Sequence, residues 1–293
     1  MPTTLATPKP VPSVPRALAP HRLALYVLLA TGCGLQTPLD ESGSNVPVNA
    51  GGDITTSWPA DVTVNTCDPN QDVTVGSYVV ETNFWNQRAC PGTQCMAINS
   101  ATGAFTVTSF PNCGNTVASY PNLLYGCSFG TCSPGSVLPM MVSNLSTVTS
   151  SWAFSVGGAA SDQFDAAYDI WFCPDNTCSV GFAGGTELMI WLDYRNLNGY
   201  KTHLGSPSLA GYSWDLWEAT MGGANMGWTY LAYMIHPPMQ TSVTNLDLMA
   251  FIRDALSRGY IQNSWYLYAV QAGDELRTGG LPYDNLSFSV EVH

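Results

Sequence analysis

The sequence predicts an all-β fold: a sandwich of two stacked sheets with a single α-helix packed on it. Three observations lead there. Only 10% of the 293 residues are charged while 11% are aromatic, and turn formers such as Gly and Pro are plentiful, a composition that favours strands and turns over helices. Short alternating segments bounded by turn residues recur from residue 60 onward: Thr74 to Val80, Phe105 to Thr108, Val148 to Val156, Ala167 to Phe172, Thr186 to Leu192, Trp228 to Ile235, Ser264 to Ala272 and Leu286 to Val292. That many strands must close on themselves or stack as two sheets. Only one segment has a helical period. With Thr244 or Asn245 as cap, Leu248, Phe251, Ile252, Ala255 and Leu256 fall on one stripe, and Gly259 ends it.

The chain is long enough for one sizeable single-core domain, expected over residues 57–293. Ahead of it, Lys9, Arg16 and Arg22 precede the apolar run Leu23 to Ala30, closed by Thr31, Gly32 and Cys33, as in a secretory signal over residues 1–33. The run is too short to span a bilayer. Its Ala30-Thr31-Gly32-Cys33 ending is similar to a bacterial lipoprotein cleavage box, which would lipidate Cys33 and anchor the protein at the cell surface; plain secretion is the alternative. Residues 34–56 are rich in Gly, Ser, Asn and Pro without periodicity and read as a flexible linker. Three of the nine basic residues lie before Cys33, which leaves six against 21 acidic ones in the mature chain. Nucleic acid is therefore not an expected partner.

Setting Cys33 aside, eight of the nine cysteines remain, an even number that suits a disulfide framework in an oxidising compartment. Cys127 with Cys132 and Cys173 with Cys178 each enclose a short turn and can bridge locally. Cys67, Cys90, Cys95 and Cys113 admit three pairings. Zinc is the other use for such cysteines, but His21, His203, His236 and His293 are scattered and none lies near a Cys pair.

The stretch that bears on function is Gly184-Gly185-Thr186-Glu187-Leu188-Met189-Ile190-Trp191-Leu192-Asp193. In a strand Glu187, Met189 and Trp191 share one face and Leu188, Ile190 and Leu192 the other, so one face is core and the other a candidate site. A carboxylate between a thioether and an indole is poorly solvated, which penalises its ionised form. The plain alternative is an edge-strand Glu with a solvated head. A second carboxylate pair, Asp274-Glu275, follows the strand Ser264 to Ala272 and reads as lifted on a Gly-rich turn between Gly273 and Gly280. Two carboxyls flanking a glycosidic bond are what retaining glycoside hydrolysis requires, at roughly 5 to 5.5 Å separation.

Gly-Thr-Glu187-Leu-Met-Ile-Trp-Leu resembles the nucleophile strand of family 12 glycoside hydrolases, the small endoglucanases and xyloglucanases. The resemblance extends to Tyr78-Val-Val-Glu-Thr-Asn83-Phe-Trp85-Asn, Ser119-Tyr-Pro-Asn-Leu-Leu-Tyr-Gly126, Ala167-Tyr-Asp169-Ile-Trp-Phe, Trp214-Asp-Leu-Trp217, Trp228-Thr-Tyr-Leu-Ala-Tyr-Met and Val270-Gln271-Ala-Gly-Asp-Glu275, in the family's order and covering nearly all of Cys67 to Val292. It implies a two-sheet antiparallel β-jelly-roll and hydrolysis of β-1,4-glucan by double displacement. Glu187 would be the nucleophile, Glu275 the general acid/base, and Asp169 the partner that hydrogen-bonds the nucleophile. Asn83, Trp85 and Met189 would contact sugar. Trp191, on the Met189 face, is a further candidate for stacking on a pyranose; Trp58, Trp152, Trp214, Trp217, Trp228 and Trp265 are assigned to packing, and Tyr168 and Phe172 to core or rim. The resemblance also implies bridges Cys67 to Cys95 and Cys127 to Cys132, which leaves Cys90 for Cys113.

Thr82 and Asn86 depart from the family's Asn and Gly around the Trp. Asp274-Glu275-Leu276, with Arg277 beyond, replaces the usual Thr-Glu-Pro or Thr-Glu-Ala. A nearby Asp would raise the acid's pKa and a nearby Arg would lower it. No metal or cofactor is expected, and the protein is expected to be a monomer. A non-catalytic jelly-roll lectin is the rival of another class, and an adhesin a third reading. Within the family, unbranched β-1,4-glucan is favoured over xyloglucan.

Overall fold

The computed structural model describes residues 62–178, 181–222 and 227–293. The expected leader, Cys33, the linker and Trp58 lie outside them. Strands β1 (Thr63–Thr66), β2 (Asp72–Val75), β3 (Tyr78–Glu81), β4 (Cys95–Asn99), β5 (Phe105–Ser109) and β6 (Asn122–Ser128) come first. The short β7 (Thr131–Cys132) and β8 (Met140–Met141) precede β9 (Val148–Val156), β10 (Gln163–Cys173) and β11 (Thr186–Arg195). Next are β12 (Thr202–Gly205), β13 (Ser208–Leu209), β14 (Tyr212–Met221), β15 (Trp228–Ile235) and β16 (Ser242–Asp247). Helix α1 (Leu248–Ser257), β17 (Tyr266–Thr278) and β18 (Tyr283–Val292) close the chain.

These strands form the expected two-sheet jelly-roll. The six-stranded sheet runs β1-β4-β5-β18-β9-β16, and the twelve-stranded one β12-β14-β15-β11-β10-β17-β6-β3-β2, with β13, β7 and β8 attached at its margins. Pairing is antiparallel throughout except between β11 and β15. The main core lies between the sheets, where Trp152, Tyr168, Phe172, Trp214 and Tyr233 are fully buried with Leu188, Ile190 and Leu192. The opposite face of the larger sheet carries separate clusters around Trp171 and around Met189 and Trp191. The alternation read along residues 187–192 is thus the division between the intersheet core and a second, outer face.

Helix α1 is the one α-helix among the described residues, and no helix there is long and apolar enough to cross a membrane. Leu248, Phe251, Ile252 and Ala255 are buried as the period predicts, while Leu256 is only partly buried and Met249 is buried beside them. Its cap is not Thr244 or Asn245. β16 continues through those residues to Asp247, whose side chain accepts a hydrogen bond from the Ala250 N–H at 3.2 Å. Two other boundaries differ. Thr74 to Val80 is a hairpin rather than one strand, since Gly76 takes φ +57° between β2 and β3. The strand expected to stop at Ala272 runs on to Thr278, so Glu275 is a strand residue and the turn comes at Gly279 and Gly280, both at positive φ.

Four disulfides join Cys67 to Cys95, Cys90 to Cys113, Cys127 to Cys132 and Cys173 to Cys178. Cys173, Asp175 and Cys178 are close enough to suggest a metal site, but two of the three ligand atoms are sulfurs already bonded to each other.

Candidate active site

Strand β10 is the axis of the site, because β11 pairs along one of its edges and β17 along the other. Trp171 lies opposite Glu187, Asp169 is flanked by Met189 and Gln271, and Asp165 lies opposite Glu275. All are on the outer face of the larger sheet, since the intervening Ala166, Tyr168 and Ile170 belong to the intersheet core. Two residues distant in sequence, Glu187 and Glu275, are thereby set on two strands that sandwich a third. Ala167 and Gly273, which face each other between them, keep the sheet surface there low.

Glu187 is buried and its Oε2 accepts a 2.6 Å hydrogen bond from the Trp228 indole N–H. Burial pushes its pKa up to about 8; the Trp228 N–H works against this, and the Glu275 charge adds to it. Asp169 is buried and held well above the usual carboxylate range, by desolvation first and then by the charges of Glu187 and Glu275. Its Oδ2 accepts from the Trp171 indole at 3.0 Å, while Oδ1 has no partner. The hydrogen bond expected between Asp169 and Glu187 is absent from the described contacts. Because Asp169 is registered with Met189, it sits diagonally across from Glu187 rather than opposite it, a separation of roughly 7 to 8 Å between backbones. Glu275 is half-buried, and its Oε2 accepts from Arg277 NH2 at 2.9 Å.

The expected sugar contacts fall into two groups. Trp85 is 57% exposed, and Asn83, at φ +38°, borders a cavity of about 180 Å³ with Asp72, Glu81, Phe129 and Thr131. Met189 and Trp191 are on the site face but only 1% and 4% exposed, so they form the underlayer of the surface rather than a stacking platform. Trp152 and Trp214 pack in the core and Trp265 against it.

Three residues of the site were not picked out by the sequence. Trp228 was assigned to packing, yet it bonds Glu187; the parallel β11/β15 register that brings it there has no local signature. Asp165 carries no sequence signal, and Glu81, buried and hydrogen-bonded by Gln271 at 3.0 Å, stands out in the sequence only as part of the Tyr78 to Asn86 motif. Burial pushes Glu81 up to about 7, with the Asp72 charge adding to it.

Two buried carboxyls, a third beside them and exposed aromatic surface form a site fit for acid/base and nucleophilic work on a sugar chain. The pattern of Glycosyl hydrolase family 12 matches residues 76–293. The chain belongs to that family. A solved endoglucanase cel12A from Rhodothermus marinus is 39% identical, with a TM-score of 0.73, over 79% of this chain and 99% of that one. A metagenome-derived family 12 endoglucanase is 38% identical, with the same TM-score, over 80% and 99%. Among curated proteins, a probable xyloglucan-specific endo-beta-1,4-glucanase A from Aspergillus terreus is 29% identical over 224 residues, 73% of this chain and 81% of that one. Family 12 members are glycoside hydrolases, endoglucanases and xyloglucanases, so the chain is a hydrolase rather than a lectin.

Proposed function

We propose that this family 12 protein is a retaining endo-β-1,4-glucanase that cleaves internal bonds of cellulose or mixed-linkage β-glucan. Glu187 attacks the anomeric carbon while Glu275 protonates the departing oxygen; Glu275 then takes a proton from the water that releases the sugar. Asp169 keeps its proton in the buried pocket and so leaves Glu187 as the ionisable member of the pair. Asn83 and Trp85, just beyond β3, bind sugar on the other side of β10, β17 and β6 from Met189 and Trp191. The observation that carries this reading is electrostatic and geometric together: Glu187 and Glu275 share one face and feel each other's charge, and Glu187 has a single N–H donor aimed at its ionised form.

Preference for unbranched chains accords with the two solved relatives at 39% and 38% identity, which are named endoglucanases, whereas the curated relative at 29% is named xyloglucan-specific. Initial rates on barley β-glucan and tamarind xyloglucan decide it, with the first expected to be faster. Glu187→Gln and Glu275→Gln should each remove nearly all activity on soluble β-glucan with the fold intact by circular dichroism. Near-wild-type rates from either, or release of the inverted anomer first, overturn the assignment. We also propose secretion through the leader at residues 1–33, which the four disulfides suit. Lipidation of Cys33 is read out by fatty-acid labelling of the mature protein.

A further inference from the structure

Double displacement has no use for the ion pair that sits beside Glu275. Asp165 is fully buried on β10, directly opposite Glu275, and Arg277 is two residues further along β17 on the same face, its side chain only 11% exposed. Arg277 NH1 donates to Asp165 Oδ2 at 2.6 Å and NH2 to Glu275 Oε2 at 2.9 Å. One guanidinium therefore holds two carboxyl groups, one on each of two paired strands, and the charge of Glu275 bears on Asp165.

The arrangement has a clear electrostatic logic. An arginine alone beside Glu275 would favour the ionised carboxylate, the wrong form for a group that must give up a proton. An aspartate alone would repel that same carboxylate when it forms. With both present, the trio is neutral when the two carboxyls share one proton, which suits a site withdrawn from water. Burial and the Glu275 charge push Asp165 well above the usual carboxylate range, while Arg277 pulls it down. Arg277 also occupies Oε2, so Oε1 is the oxygen left free to face the departing group.

We propose that Asp165 and Arg277 are positioning residues that orient the Glu275 carboxyl by one bonded oxygen and cancel each other's charge at it. The pair thereby sets the pH at which the acid/base stops working. This rests on the reading of Glu275 as acid/base. The other titratable groups whose charges reach Glu275 are Glu187 on β11, Asp169 on β10, Tyr230 on β15, Tyr120 just before β6 and its neighbour Asp274 on β17. Burial raises both tyrosines well above their ordinary value and keeps them neutral.

Opposed signs make the proposal testable. On barley β-glucan, Asp165→Asn should move the alkaline limb of kcat/KM to lower pH and Arg277→Gln should move it to higher pH, each by about one unit. The double variant should return it close to the wild-type position. Arg277→Lys, which keeps charge but loses the fork, should leave the limb in place and lower kcat roughly ten-fold. If Asp165→Asn fails to fold, Arg277→Gln and Arg277→Lys carry the same contrast. Limbs that do not move, or that move in one direction in both single variants, overturn the proposal, because a merely structural pair would lower rate or melting temperature without opposed shifts. A dinitrophenyl cellobioside, whose leaving group needs no proton, separates the two levels. If Glu275→Gln retains the wild-type alkaline limb on β-glucan, or falls as far on the activated substrate as on the glucan, the acid/base assignment itself fails. If the limb vanishes in Glu275→Gln yet ignores residues 165 and 277, only the positioning proposal fails.

Discussion

Replacing Trp228 by Phe tests the one side-chain hydrogen bond described for Glu187, the proposed nucleophile. The indole N–H donates to Glu187 Oε2 at 2.6 Å and is the one contact among the causes of the Glu187 shift that favours the ionised form. Phe keeps most of the ring that packs edge-on to Trp171 at 5.5 Å, so packing changes little. A hydrogen bond to a charged group contributes about 1.5 to 3 kcal/mol, which corresponds to about one to two pH units. Losing a donor to the carboxylate raises the pKa, so the acid limb of kcat/KM should move upward by about that amount. Between the old and the new limb the rate should fall by roughly ten- to a hundred-fold, and above the new limb it should largely recover. Stability changes in the same sense. A carboxyl raised from 4.5 to about 8 binds its proton more tightly when folded, so its contribution is full below pH 4.5 and is lost as pH rises towards 8. Trp228→Phe should steepen that loss. The measurements are kcat/KM profiles on β-glucan and melting temperatures across the same pH range. An acid limb that stays put while activity falls at every pH would reduce Trp228 to a packing residue and refute the reasoning.

Two further perturbations address stability and binding separately. Asp274 points into the intersheet core with neither oxygen hydrogen-bonded, near a Tyr283 hydroxyl that is also unpartnered, and burial holds its pKa well above the usual range. Asp274→Thr should therefore raise stability at neutral pH by about 1 to 3 kcal/mol and flatten its decline with rising pH. Equal melting temperatures for the two proteins above neutrality would count against this. Trp85, an exposed residue just beyond β3, should act through substrate alone. Trp85→Ala is expected to raise KM roughly ten-fold, the equivalent of about 1.4 kcal/mol of stacking, and to leave the melting temperature unchanged; a fall in melting temperature with unaltered KM would move this residue into the packing class.

What could be read from the chain and what could not divide along a physical line. Side-chain alternation in a strand is local, so residues 187–192 revealed both faces of β11 before any partner strand was known. Partner strands are a non-local matter. Nothing near Trp228 announces that β15 runs parallel to β11 and delivers an indole to Glu187, and nothing near Asp165 announces that β17 will set Glu275 and Arg277 beside it. Gly273 shows how a local rule misleads. Its place after Ala272 reads as a turn, but it is a glycine because the Pro121 carbonyl and Asn122 of β6 approach where a Cβ would stand. The glycine lets β17 pass close to β6 and continue, which is why Glu275 is held in the sheet rather than on a mobile tip. A carboxyl fixed in that way can be oriented by residues on its own and the neighbouring strand. A turn residue would have no such neighbours, so the misread glycine and the unforeseen Asp165 and Arg277 pair have the same cause.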